Sequence, residues 1–197
     1  MIFSPIEKVL EDLRAGKPVL VTDDESRENE GDAIIAAEFA TPEWVAWMVR
    51  YTTGYLCAPM TERRANELDL PVMWHNNEDP HQTNYTVSVD AASRESTGIS
   101  AKERALTANV LADPNSTPRS LIRPGHVLPL RAKPGGVLVR PGHTEAAVDL
   151  LRLAGLQQVG LMAEMTNDDG TMMRVPELFS MAERFALSMT NIHELSE

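Results

Sequence analysis

Apolar residues near the start of the chain recur at helical spacing. Ile6, Val9, Leu10 and Leu13 fall on one stripe, the pattern of a helix that buries one face. Ser4 suits the N-cap, Pro5 the first helical position and Glu7 the third, which makes a capping box. Gly16 is placed to end this helix. Pro18–Thr22 and Ala33–Ala37 are short apolar runs, predicted as buried strands. Thr41-Pro42-Glu43 opens a second helix with Trp44, Trp47, Met48 and Tyr51 as a core stripe. Tyr55–Ala58 is strand-like, and Thr61–Leu68 is a short helix stopped before Pro71. Residues 75–84 are polar and turn-rich, which predicts a loop. Tyr85–Asp90 alternates as a strand does. Ser100–Leu111 is a helix with a capping box of Ser100 and Glu103. Val127–Leu130 and Gly136–Arg140 read as strands around a Gly135-Gly136 hairpin. Thr144–Ala154 is a helix closed by Gly155, Gln158–Met165 a strand and Asp168–Gly170 a turn. A strand, a helix near Pro176–Phe185 and a last strand follow.

Helices and strands intermix without strict βαβ order, which predicts a mixed sheet covered by helices on both faces. Length and composition fit one domain over 1–197: 197 residues, 43% hydrophobic, suffice for one core. The net charge of −11 argues against nucleic acid and anionic lipid as partners. It leaves room for a local anion site of arginines and helix N-termini. No apolar run approaches the ~18–20 residues of a membrane span, and no secretory leader pattern opens the chain. Cys57 is the single cysteine, so an internal disulfide is impossible and a reducing, cytoplasmic setting is expected. It reads as a small buried hydrophobe rather than a nucleophile.

The chemistry concentrates in Asp23-Asp-Glu-Ser-Arg-Glu-Asn-Glu-Gly-Asp32, six carboxylates in ten residues after a buried strand. Glu28, Glu30 and Asp32 recur at period two, so an extended backbone points all three to one side. Converging carboxylates need a cation or a proton, and oxygen ligands suit Mg2+ or Mn2+. The competing reading is a solvated acidic loop, against which the interleaved Arg27, Asn29 and Gly31 weigh. Arg140-Pro-Gly-His-Thr-Glu145 sits where a strand gives way to a helix. The positive helix start and Arg140 suit an anion, and His143 suits a metal; an ordinary helix capped by Thr144 competes. Thr97–Ser100 before Arg104 is a weaker anion seat that the capping box already explains. Arg123-Pro-Gly-His126 repeats the Pro-Gly-His turn, so His126 and His143 are candidates to face one space. Glu164 ends an apolar strand and is a candidate general base, though strand-end glutamates are commonly surface residues.

Taken in order, Asp23–Asp32, Thr83-x-Tyr-Thr-Val-Ser-Val-Asp90, Thr97–Ala101, Arg123–His126, Arg140–Ala146, Ala154-Gly-Leu156 and Glu164–Gly170 closely resemble the 3,4-dihydroxy-2-butanone 4-phosphate synthases of riboflavin biosynthesis. The resemblance covers nearly the whole chain. It is to the stand-alone form, the chain stopping where bifunctional relatives continue into a GTP cyclohydrolase II domain. The resemblance implies an α+β, three-layer α/β/α fold with a mixed twisted sheet, and a homodimer with active sites at the subunit interface. It implies conversion of D-ribulose 5-phosphate to L-3,4-dihydroxy-2-butanone 4-phosphate and formate with Mg2+ or Mn2+. By motif, Glu28 and His143 resemble the metal ligands. Arg27, Glu28, Asp32, Glu164 and the segment Arg140, Pro141, Gly142, His143 and Thr144 resemble the substrate-binding positions. His126 and Glu164 match catalytic positions, with Asp23 and Glu30 as further catalytic candidates and Cys57 near the site. Two departures stand out: Pro141 removes a backbone donor, and Glu103 replaces an expected Asp. A sugar-phosphate sensor without turnover and a Mg2+-dependent phosphohydrolase are the alternatives.

Overall fold

The structure, a computed structural model, describes residues 2–196. Its strands are β1 (Val19–Thr22), β2 (Gly31–Ala36), β3 (Cys57–Thr61), β4 (Val89–Ala91), β5 (Leu121–Ala132), β6 (Gly160–Glu164) and β7 (Met189–Asn191). The helices are α1 (Ile6–Arg14), α2 (Pro42–Tyr51), α3 (Glu62–Glu67), α4 (Ala101–Ala112), α5 (His143–Ala154) and α6 (Val175–Phe185). The strands form one sheet in the order β4-β5-β3-β6-β2-β1-β7. The pairs β1–β7 and β3–β5 are parallel and the others antiparallel, so the sheet is mixed as expected.

The central strands are apolar throughout because both faces are covered. Side chains alternate between two cores. Ala33 and Ile35 of β2, Leu161 and Ala163 of β6 and Ala58 of β3 join the core under α2, α4 and α6. Ile34, Ala36, Met162 and Cys57 join the core under α1 and α5. Helices on both faces give the three-layer α/β/α arrangement. The same alternation carries down the strands to Asp32 and Glu164. They share parity with Ile34 and Met162 and lie opposite one another, on the α5 face.

Several local expectations change. Ser4 caps nothing in α1; Pro5 takes that position, and Ser4 pairs with Met189 through N–H···O (2.8 Å) and through its Oγ (3.1 Å). Gly136–Leu138 is a single 3-10 turn rather than a strand, because Asp149 of α5 accepts the Val137 N–H at 2.9 Å and draws the segment onto the helix. There is thus no Gly-Gly hairpin. Arg123–His126 is not a free turn but lies within β5. Tyr85 and Thr86 make only isolated bridges, to Leu130 and Val72 respectively, leaving β4 as three residues. Thr41 and Thr61 cap α2 and α3, and Gly155 ends α5 in the left-handed region.

Candidate active site

Asp23 organises the acidic stretch. Its Oδ1 accepts the Glu30 N–H at 2.9 Å, and its Oδ2 accepts the Glu28 N–H at 3.0 Å and Arg27 Nη1 at 2.9 Å. The segment therefore wraps around one buried carboxylate. Asn29 sits at φ 54°, so the backbone turns there and the extended alternation predicted for Glu28, Glu30 and Asp32 does not hold. Glu28 and Asp32 still line one cavity, whereas Glu30 is not part of its lining. Arg174, just before α6, holds the turn from outside through the carbonyls of Glu28 and Asn29.

The cavity is lined by Arg27, Glu28, Asp32, Thr83, Tyr85, Arg140, His143, Thr144 and Glu164, with Cys57, Leu130 and Met162 on its apolar side. His143 opens α5 and is buried. Its Nδ1 is 3.5 Å from Glu28 Oε2, and its Nε2 is 4.0 Å from Asp32 Oδ1. Both Asp32 Oδ1 and His143 Nε2 are buried without a hydrogen-bond partner, an arrangement that calls for a cation or water between the groups. Asp23, Glu28 and His143 each offer one atom within 4.8 Å of the others. The donor set of oxygens and one imidazole fits a divalent metal.

The electrostatics follow from burial and crowding. His143 holds the Glu28 carboxyl down to about 2 despite desolvation, with Arg27 and His81 assisting. Burial pushes Asp32 up to about 7; His143 opposes the shift, and Glu164, Glu28 and Glu30 reinforce it. Burial works against a charged His143, but Asp32, Glu28 and Asp23 outweigh it and raise the imidazole to about 9. The acidic surroundings that raise His143 would equally favour a bound cation. Glu30 is raised by burial and by Glu28. Glu164 accepts a hydrogen bond from Thr53 Oγ1 at 2.8 Å.

The start of α5 lacks a side-chain cap: Gly142, not Thr144, is the N-cap. Its first amides stay available to an anion. A Cβ at Gly142 would collide with Arg140 and meet Arg27, so only glycine lets both guanidiniums close over this helix end. Arg140 donates to Glu145, to Thr83 Oγ1 at 3.0 Å and to the His81 carbonyl at 2.9 Å, pinning the 75–84 loop. His81 Nε2 then lies 3.7 Å from Glu28 Oε1. Pro141 is exposed and outside the lining. His126 also lies outside it and pairs with Asp90 instead, so one chain does not bring His126 and His143 together. Glu103 caps the Ser96 and Gly98 amides rather than the Ser100 backbone. A groove of ≈ 500 Å³ beside Lys133 and Arg152 contains no histidine.

A family model described as 3,4-dihydroxy-2-butanone 4-phosphate synthase matches residues 7–197. The chain belongs to the 3,4-dihydroxy-2-butanone 4-phosphate synthase family. It is 58% identical over 193 residues to riboflavin biosynthesis protein RibBA of Salinispora arenicola (strain CNS-205), a match covering 98% of this chain and 46% of that protein. It therefore spans about half the length of the RibBA relatives. It is 51% identical to the 3,4-dihydroxy-2-butanone 4-phosphate synthase of Candida albicans (strain SC5314 / ATCC MYA-2876), covering 100% of this chain and 97% of that one. Among solved structures, a family member in complex with two magnesium ions matches with TM-score 0.96 and 46% identity, covering 98% and 95% of the two chains. Its family resemblance, the mixed sheet and the three-layer fold are thus as the motifs implied.

Thr53, His81, Thr83, Tyr85 and Arg174 had no assigned site role from sequence. Thr83 and Tyr85 belonged to a quoted motif, so position alone could have flagged them. Arg174 carried no signal, because its contact spans 145 residues to Asn29.

Proposed function

We propose that residues 1–197 form a single domain that converts D-ribulose 5-phosphate to L-3,4-dihydroxy-2-butanone 4-phosphate and formate. The observation that carries this reading is the buried, unpartnered pair Asp32 Oδ1 and His143 Nε2, set among Glu28, Asp23 and Glu164. Glu28 and His143 would hold Mg2+ or Mn2+, with Asp23 alongside. When bound, the cation supplies Lewis-acid polarisation of ketone and hydroxyl oxygens. The phosphate sits at the open start of α5, between Arg27 and Arg140 and against Gly142, His143 and Thr144. Pro141 shapes that turn without donating.

The reaction is balanced: one water leaves with the C1 hydroxyl, one returns to release C4 as formate, and the four-carbon phosphate remains. Glu164 and the acidic segment, through Asp32, share removal of the C3 proton and its return, with Glu30 behind the lining. Asp32 is suited to this because burial, reinforced by the neighbouring Glu164, raises its carboxyl and lets it hold a proton. Remote phosphate binding positions the reacting end.

His126 serves as an acid–base group from a second copy of the chain, in a homodimer with interface active sites. The separation of His126 from the cavity within one chain supports that arrangement. The pathway step and the absence of any helix long enough to cross a membrane among the described residues support a cytoplasmic location. The test is incubation with ribulose 5-phosphate and Mg2+ while following formate. Formate in step with the four-carbon phosphate is the expected result. Free phosphate without formate would instead indicate a phosphohydrolase and overturn the reading.

A further inference from the structure

Between the pair Val89–Val127 and the pair Asp90–Ile122, the register of β4 against β5 shifts. Residues 123–126 are left without strand partners there. Bulges of this kind re-aim side chains, but their amides still need acceptors. Side chains of β4 and the residue before it supply them. Ser88 Oγ accepts the Gly125 N–H at 3.1 Å, and Asp90 Oδ1 accepts the His126 N–H at 2.9 Å. The second oxygen of the same carboxylate, Oδ2, lies 2.9 Å from His126 Nδ1. One residue therefore fixes both the backbone and the ring of His126.

Asp90 is 1% exposed, and Arg94 Nη1 lies 3.7 Å from its Oδ2, a cation beside the carboxylate. Gly98, at φ 96°, closes over it so tightly that a Cβ there would fall on the carboxylate. Glu103 of α4 holds that cover down through the Ser96 and Gly98 amides at 2.6 and 2.9 Å. A carboxylate can only accept a hydrogen bond. Neutral His126 must then carry its proton on Nδ1 and present a bare Nε2 on a ring that is 38% exposed.

We propose that Asp90 is a positioning residue for the reaction, acting through His126 by fixing its ring orientation and its Nδ1–H tautomer so that Nε2 is the proton acceptor. This rests on the assignment of His126 as an acid–base group in the ribulose 5-phosphate reaction.

Asp90→Asn tests it, because an amide NH2 turned toward Nδ1 favours the opposite tautomer. The expected result is a fall in kcat of about 10²-fold or more, with KM and Mg2+ affinity within about twofold of wild type. In a His126→Ala background the same change should cost less than about twofold further. Near-wild-type kcat in Asp90→Asn, or a full additional loss in the His126→Ala background, would overturn the proposal. A measurement on the unaltered protein guards against a variant that does not fold. The 15N spectrum of the His126 ring, assigned by its disappearance in His126→Ala, should show Nδ1 protonated and Nε2 bare. An Nε2-protonated ring in a chain that releases formate removes the proposal alone. A wild-type chain that releases no formate removes the functional reading, and the proposal with it.

Discussion

Asp32 on β2 and Glu164 on β6 stand directly opposite one another in the antiparallel ladder, with both side chains on the α5 face. Two carboxylates placed this way repel unless a positive charge or a proton intervenes.

A stability measurement follows from that pair. Asp32 is raised from 3.8 to about 7, so the folded state disfavours its charge. The associated stability is present below the unfolded value and is lost as pH rises through about 7. In EDTA, Asp32→Asn should therefore be more stable than wild type at pH 8, by about 1–3 kcal/mol. The advantage should shrink as pH falls through about 7 and vanish only below about 3.8, where Asp32 is neutral folded and unfolded alike. Formate release should be lost at every pH. Denaturant unfolding across that pH range checks this; a variant weaker than wild type at pH 8 would refute it.

Glu28→Gln and His143→Ala should each lower formate production by at least about 10³-fold, with the circular dichroism spectrum retained. Each should also weaken Mn2+ binding measured by electron paramagnetic resonance. Unchanged Mn2+ affinity in either variant would take that residue out of the metal set.

Arg140→Ala removes three anchors at once, to Glu145, Thr83 and the His81 carbonyl. KM for the sugar phosphate should rise by about tenfold or more. Proteolysis within residues 75–84 should accelerate as well, since Arg140 ties that segment down. An unchanged KM would separate the loop tether from phosphate binding.

Cys57 lines the cavity but is 2% exposed. Burial pushes its thiol well above the ordinary value, with Glu164 and Asp32 adding to the effect. The thiolate population at pH 8 is then very small. A colorimetric thiol reagent should find no reactive group in the folded protein and one equivalent in guanidinium. Rapid labelling of the native chain would contradict this burial.

Much of the fold was readable because it rests on short-range rules. Thr41-Pro42 set the start of α2, Gly155 the end of α5, and the unbroken apolar runs of β1 and β2 announced strands covered on both faces. What escaped depends on partners distant in sequence. Ser4 abandoned its local cap for Met189, and Val137 bent toward Asp149 instead of extending. Arg123–His126 looked like a turn because its composition is turn-like, yet β4 holds it inside a strand. At the site, Glu28, Asp32 and His143 could be named from pattern and motif. Their expected alternation was nevertheless broken at Asn29, because Asp23 gathers that backbone around itself. Asp90 was visible only as the end of a strand motif, since nothing local marks the histidine 36 residues away.

The cavity holds only ≈ 60 Å³ of space, below the roughly 300 Å³ typical of small-molecule pockets, and Arg140 pins the 75–84 segment beside it through His81 and Thr83. If those contacts work as a latch, the apparent affinity for substrate scales with the fraction of time the latch is open. Mutations that tighten the latch would yield a more heat-resistant protein that captures its substrate less well. Mutations that loosen it would trade stability for faster capture and, past some point, would let water reach the intermediates. The hold of Arg140 on Thr83 and His81 thereby sets a compromise between access and protection.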